Sequence, residues 1–348
     1  MRILNDLHIG VKRQAGATPA SQAALTEFVH QQFKGLVAGT KDTHLLILGD
    51  LFDGFSVEVS DVIRTYEVLA DWLNDSPART LTLVCGNHDW SPKAGKVSSF
   101  HMLSHFLCSH FGAKVHVVDG GKGMTFVGDG VWAIPHMPNQ DLFDLELATA
   151  RMGNGGYLLL HANYDNKFTV ESDHSLNVSV EQAQGLIERG WKLVFAHEHQ
   201  QRTALDGNVV IIGNQIPTSV ADCLGNDSKQ FATIKAGDLQ THESLDIKAV
   251  FYQVPWQSVD DTPDDALFVR VIGQATMDQA ADALGAVAGL RQRHSAYVVT
   301  NGIKVDGMAE LDTLAEMSFD DITTFNVMEA LLEELSEAEG KVVKELLA

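Results

Sequence analysis

Five short polar motifs carry the residue types that hold divalent metals: Asp6-Leu7-His8, Gly49-Asp50-Leu51-Phe52-Asp53, Gly86-Asn87-His88-Asp89, His161-Ala162-Asn163 and His197-Glu198-His199. Two cations a few ångströms apart take about four protein ligands each and share one anionic oxygen, because a bridging carboxylate offsets their mutual repulsion. Asp50 is the natural bridge. Asp6, His8 and His199 then complete the first metal, and Asn87, His161 and His197 the second. Mixed oxygen and neutral imidazole ligands suit Mn, Fe or Zn, with Mg also possible, better than Ca, which wants oxygen alone. Any one motif is ordinary, since G-D-x-x-D alone can be a turn and H-x-H can be incidental. Five in succession, each closing an apolar run, point to a metal centre.

The runs before them, Ile3-Leu4-Asn5, Leu45 to Leu48, Leu81 to Cys85, Tyr157 to Leu160 and Lys192 to Phe195, predict short strands buried on both faces. Each motif therefore sits at a strand's carboxyl end, where open α/β sheets place their sites. Between the motifs, apolar residues recur at three- and four-residue steps: Leu25, Phe28, Val29, Phe33, Leu36 and Val37, then Val62, Tyr66, Leu69 and Leu73, then Phe100, Leu103, Phe106 and Leu107. These predict crossover helices. Ser179 with Gln182 predicts a capping box, and Gly190 ends that helix. Strands at Val115–Val118, Met124–Val127 and Val131–Ile134 precede it, and others at Val209–Ile212, Phe231–Ile234 and Leu245–Phe251 are expected to complete a second sheet. The fold class is an α/β two-sheet sandwich flanked by helices, with a small α+β domain and a C-terminal helical tail.

The order of the motifs resembles the calcineurin-like metallophosphoesterase superfamily from Met1 to about Ile234. Within it, Asp6-Leu7-His8-Ile9-Gly10, Gly49-Asp50-Leu51-Phe52-Asp53, Ile212 to Ser219 and Lys229 to Ile234 are similar to DNA double-strand-break nucleases of the SbcD type. Three positions depart from that pattern. Ala196 replaces the glycine of G-H-x-H, which is expected to crowd the turn; Asn5 stands where Ser or Thr is common; and Ile216-Pro217-Thr218 replaces Pro-Gly-Ser. The resemblance implies a Mn-activated exo/endonuclease of DNA repair and recombination, acting as a homodimer through the helices after the second and third motifs. It also implies a coiled-coil ATPase partner of the SbcC type. Two metals lower the pKa of a water between them and stabilise charge developing on phosphoryl oxygens. His88 would contact the phosphoryl group and protonate the leaving alkoxide, with Asp89 or Asp53 orienting an imidazole.

Charge argues the other way. The 348 residues carry a formal net charge of −21, and duplex binders are typically basic. From Ala309 to Ala348, however, 11 Asp or Glu face 2 Lys, so much of the excess lies in the tail. Lys12, Arg13, Lys93, Lys96, Lys167 and Arg202 follow the motifs and are candidate phosphate contacts. A nucleotide phosphatase or phosphodiesterase, sharing every ligand, fits an acidic chain, and a non-catalytic scaffold is the third reading.

An acidic, proline-marked stretch near Val254-Pro255 and Asp260 to Asp265 divides the expected domains: 1–254 for the phosphoesterase, 262–306 for a unit matching by resemblance the SbcD-type capping domain, and 307–348 for an acidic helical segment that could grip a partner. Cys85, Cys108 and Cys223 have no close spacing, and no long apolar stretch or signal peptide is evident. A cytoplasmic protein without membrane association is expected, with Cys85 a buried, inert thiol.

Overall fold

Alternation within the central strands decides the architecture. In the strand Gly156–His161, Tyr157 and Leu159 pack in one core while Leu158 and Leu160 pack in another. In Trp191–Ala196, Val194 and Ala196 go with the first core, Leu193 and Phe195 with the second. A strand with apolar residues on both faces must be covered on both, so it lies inside a layered structure. The computed structural model describes residues 1–305 apart from 14, 16–18, 91–95, 154, 167–174, 224–228, 246–249, 265 and 294–297.

Two six-stranded sheets form the body. The first runs Asp238–Leu245, Lys229–Lys235, Arg2–Leu4, His44–Leu48, Thr80–Val84, Val115–Val118, its last four strands parallel. The second runs Arg202–Ala204, Val209–Ile211, Trp191–Ala196, Gly156–His161, Val131–Ile134, Thr125–Gly128, its four central strands parallel. Between them lies a core of Ile3, Leu46, Leu48, Val84, Val131, Ala133, Leu159, Val194, Ile212 and Ile234. The outer face of the second sheet packs on Phe143 and Leu147 of helix Gln140–Ala150 and on Ala183 and Leu186 of helix Val180–Ile187. Helices Pro19–Ala38, Val59–Asn74 and Ser99–Phe111 bury the expected stripes, among them Leu25, Val29, Phe33, Leu69, Leu73, Phe100, Leu103 and Leu107. Phe106 departs from its stripe and is 50% exposed. The Ser179–Gln182 capping box is present.

Two strand assignments need correction. Lys229–Lys235 belongs to the first sheet, antiparallel to Arg2–Leu4, because that three-residue strand has an open edge which only a distant segment covers. Leu245 and Phe251 belong to different strands, one ending at Leu245 and one running Phe251–Pro255.

Contacts divide the chain into a unit of Met1–Tyr252 with Pro263–Val269 and a unit of Gln253–Thr262 with Arg270–Ala348. The C-terminal region carries a sheet of Phe251–Pro255, Phe268–Ala275 and Val298–Val305 and a helix, Ala280–Arg293, that buries Ala283, Val287 and Leu290. The tail at 307–348 lies outside the described residues. Among the described residues no helix is long and apolar enough to cross a membrane.

Away from the strands' carboxyl ends, Tyr157 ties the second sheet to the first. The Tyr157 hydroxyl donates to Gly237 O at 3.0 Å and accepts from Leu239 N at 2.9 Å, at the turn that closes the first sheet's outer hairpin. Tyr157→Phe strands both backbone groups and is expected to destabilise the protein by about 1–3 kcal/mol in urea denaturation. A change indistinguishable from zero would mean water replaces the hydroxyl there.

Candidate metal centre

Both sheets present their strand ends to one place. The first supplies Asp6 and His8 beyond Leu4, Asp50 beyond Leu48 and Asn87 beyond Val84; the second supplies His161 as a strand's last residue and His197 and His199 beyond Ala196. The connecting backbones are bonded to one another. Asp6 N donates to Gly49 O (3.2 Å), Leu7 and His8 N to Asp50 O (2.9 and 3.0 Å), and Asp53 N to Ile9 O (3.0 Å). Asp6, His8, Asp50 and His197 have φ of 48°, 46°, 47° and 88°. Such left-handed conformations are costly for non-glycine residues and persist where the surroundings over-determine them. Ala196 stays in its strand, paired with His161, and the left-handed turn falls on His197, so the expected crowding at Ala196 does not arise.

Two glycines let ligands approach backbone. A Cβ on Gly49, whose φ is +75°, would lie 2.0 Å from His161 Nδ1, and a Cβ on Gly86 would lie 2.2 Å from Asp50 Oδ1. Either position therefore admits only glycine without displacing a ligand.

The ligand atoms gather as three groups: Asp6, His8 and His199; Asp50, His161 and His197; and His8, Asp53 and His88, the first and last sharing His8. Asp50 faces both sides, its Oδ1 3.3 Å from His161 Nε2 and its Oδ2 3.9 Å from His8 Nε2. Asn87 Oδ1 lies 2.9 Å from the same His161 nitrogen.

Tautomers test whether cations fit. His161 Nδ1 lies 3.2 Å from Leu48 O, which can only accept, so Nδ1 carries the proton and Nε2 turns a lone pair toward two oxygens. His199 Nδ1 donates to Asp222 Oδ1 at 2.9 Å. His8 Nδ1 lies 3.2 Å from Asp53 Oδ1, close but poorly aligned for a hydrogen bond. With its proton on Nδ1, a neutral His199 turns its Nε2 lone pair toward His8 Nε2, 3.1 Å away. Lone pairs and carboxylates without intervening hydrogens repel, and a divalent cation in each group resolves the repulsion. The donor set fits two metals.

A proton resolves it in their absence. Burial opposes charge on His161, but the Asp50 carboxylate, the Asp6 carboxylate and the Leu48 carbonyl together outweigh it and lift the imidazole to about 9. Burial likewise opposes charge on Asp50, and the neighbouring histidines, His161 foremost, hold its carboxyl well below the usual range. Burial is the main reason the Cys85 thiol is pushed up, as expected of an inert core residue.

Neighbouring groups position this ligand set. His88 Nδ1 donates to the Asp53 carbonyl at 2.7 Å, and its backbone N–H donates to Asp50 Oδ1 at 3.0 Å. The Asp53 carboxylate faces His8 and Arg13, so its backbone and not its side chain holds His88. Asp89 does not serve as the imidazole's partner. Fully buried, it accepts from the N–H groups of Leu51 (3.3 Å), Phe52 (3.1 Å) and Gly86 (3.0 Å), tying the third motif to the second. Burial, reinforced by the charge on Asp50, pushes its carboxyl up to about 7. Sequence reasoning missed three residues. Asn5 donates to Asp6 Oδ2 at 2.6 Å, Gln215 donates to Asn5 Oδ1 at 2.7 Å, and Asp222 receives His199.

The rim cations have acidic partners. Lys12 pairs with Glu58, Arg13 with Asp53 at 3.0 Å, and Arg202 with Glu198 at 2.8 Å while also donating to Tyr164 O at 2.6 Å. Arg202 is thereby a brace between the fourth and fifth motifs, and its charge is largely spent on Glu198. Lys96 is exposed, and Lys93 and Lys167 lie outside the described residues.

The calcineurin-like phosphoesterase family matches residues 2–216, and this chain belongs to it. Its members typically use a binuclear metal centre. Among solved structures, the crystal structure of TT1561 of Thermus thermophilus aligns at 12% identity with a TM-score of 0.40, over 70% of this chain and 98% of that one. A second aligns at 9% identity with a TM-score of 0.38, over 70% and 98% respectively. No curated protein matches the sequence.

Two outcomes are expected. Because the proton on His161 is held up to about 9 and a cation must displace it, metal affinity should rise by about tenfold per pH unit between about pH 7 and 9 and flatten above. Calorimetric titrations giving one affinity throughout that range would contradict the proton's role. Gly86→Ala should displace Asp50 and cut bound metal by at least half in elemental analysis, while circular dichroism stays that of the native fold.

Proposed function

We propose that this calcineurin-like phosphoesterase hydrolyses phosphodiester bonds of DNA, with a phosphatase or phosphodiesterase acting on nucleotides as the second reading. The metal-ligand cage accounts for phosphoester hydrolysis in general. His88 carries the narrower claim, because its Nδ1 is committed to the Asp53 carbonyl, leaving Nε2 as the atom that exchanges a proton. It lies beside the centre, its ring 5.0 Å from that of His8 at 89°. An alkoxide is a poor leaving group, and a positioned imidazolium that protonates it is worth roughly 10²–10⁴ in rate. Such a proton donor matters for a nucleic-acid or nucleotide ester and little for an acidic phenol.

When bound, the two cations would supply a polarised water as nucleophile and charge to stabilise the phosphoryl oxygens. Asp6, His8, Asp50 and His199 would hold one, and Asp50, Asn87, His161 and His197 the other. DNA as the substrate is supported by the likeness of the first, second and post-histidine segments to SbcD-type nucleases. A homodimer with a coiled-coil ATPase belongs to the same proposal and has the same support. The small-nucleotide reading draws on the rim, where Lys12, Arg13 and Arg202 each face a carboxylate and leave less net charge for a polyanion.

The test offers Mn-loaded protein linear duplex DNA, single-stranded DNA, bis(p-nitrophenyl) phosphate and a mononucleotide. Cleavage of duplex DNA is expected, with His88→Ala slowing it by about 10²- to 10⁴-fold and slowing the nitrophenyl ester far less. Turnover of the mononucleotide alone would remove DNA as substrate, and equal losses on all substrates would remove the proton-donor role of His88.

A further inference from the structure

Asp222 lies 23 positions beyond His199, in a short turn after Thr218, and is buried. Its two carboxylate oxygens have separate duties. Oδ2 accepts from Thr218 N (2.8 Å), Thr218 Oγ1 (3.2 Å) and Ser219 N (3.0 Å). Oδ1 accepts from His199 Nδ1 at 2.9 Å. Two of the donors on Oδ2 are backbone N–H groups, which cannot reverse polarity, so the group there must be an acceptor. The group facing His199 is then an acceptor too, but only while residue 222 is a carboxylate. That double requirement keeps the proton of neutral His199 on Nδ1 and its lone pair on Nε2, the atom 3.1 Å from His8 Nε2.

We infer that Asp222 is a positioning residue of the metal centre, fixing the tautomer and ring orientation of His199 so that its Nε2 can serve the cation site shared with Asp6 and His8. The inference rests on the two-metal reading above. It assigns a duty within the site to the segment Ile216–Cys223, which also lies on the connection between the two sheets. Outer partners of metal-bound imidazoles commonly carry about 10- to 100-fold in metal affinity.

Chemistry distinguishes this duty from simple packing. In Asp222→Asn the amide oxygen is drawn to the Thr218 and Ser219 donors, so the NH₂ turns toward His199 and donates to Nδ1. The imidazole is driven to carry its proton on Nε2, where a lone pair is required. Asp222→Ala has no such preference and lets both tautomers coexist.

Two measurements decide it. Histidine ¹⁵N shifts of the metal-free, full-length protein, recorded above the titration of His199, should show the Nδ1–H tautomer in the wild type and Nε2–H in Asp222→Asn. Calorimetry with Mn should find two ions per wild-type chain and one in Asp222→Asn, with the Asp50, His161 and His197 group still filled. In Asp222→Ala one site should weaken by about 10- to 100-fold. Nε2–H in the wild type, or wild-type affinity at both sites in Asp222→Asn, overturns the inference, the first without any variant. Wild-type protein that binds no Mn overturns the two-metal reading instead, and the tautomer spectra still decide whether Asp222 commands His199.

Discussion

Mutual repulsion among electron-rich atoms is what the rest of this molecule is arranged to withstand. Asp6, Asp50, Asn87 and the ring nitrogens of four histidines meet where the strand ends of both sheets converge, with Asp6, His8, Asp50 and His161 buried and the others half-buried. Left to themselves they would separate. The fold opposes separation by bonding the loops' own backbones together, from Asp6 to Gly49, from His8 to Asp50 and from Gly49 to Val84. It also commits the outward nitrogen of His161 to Leu48 and of His199 to Asp222. What remains is a set of inward acceptors that only protons or cations can reconcile.

This arrangement explains where strain sits. Four predicted ligands occupy left-handed backbone conformations, and each is the point at which the chain turns off a buried strand. A strand end alone would aim alternate side chains to opposite faces. Left-handed turns at Asp6, His8 and Asp50 take the chain off the strand direction, so that the ligands follow the turn and not the sheet face. Buried acceptors then hold the turns: Asp89 gathers three N–H groups of the second and third motifs, and the Asp6 carboxylate accepts the His197 N–H, joining the layers at the site.

The ligands were legible in the sequence because each follows an apolar run, so chain position gives spatial position almost directly. The helices were legible from periodicity, except that Phe106 satisfied the spacing and still faces outward. Other features resist reading for physical reasons. Asp89 adjoins His88 in sequence, but successive residues of a turn point apart, and proximity along the chain misled about proximity in space. Arg202 follows the last motif as a phosphate contact would, yet its partner is four residues back, at Glu198. Asp222 has no periodic or motif signal of its own, and the segment likened to a known nuclease ends at Ser219, three residues short of it. Strand pairing is the least local property, which is why Lys229–Lys235 was expected in the wrong sheet.

That strand bears on how the protein comes into being. The short first strand lies between His44–Leu48 on one side and Lys229–Lys235 on the other, and the amino group of Met1 bonds to Ile234 O across 233 positions of sequence. During synthesis the first strand leaves the ribosome with one flank uncovered, and it stays so until nearly two hundred further residues have followed its first neighbour. Its exposed N–H and C=O groups are then available to any extended chain nearby. Two copies translated close together would be most at risk of exchanging that late strand, so a swapped assembly is the misfolding product this topology favours.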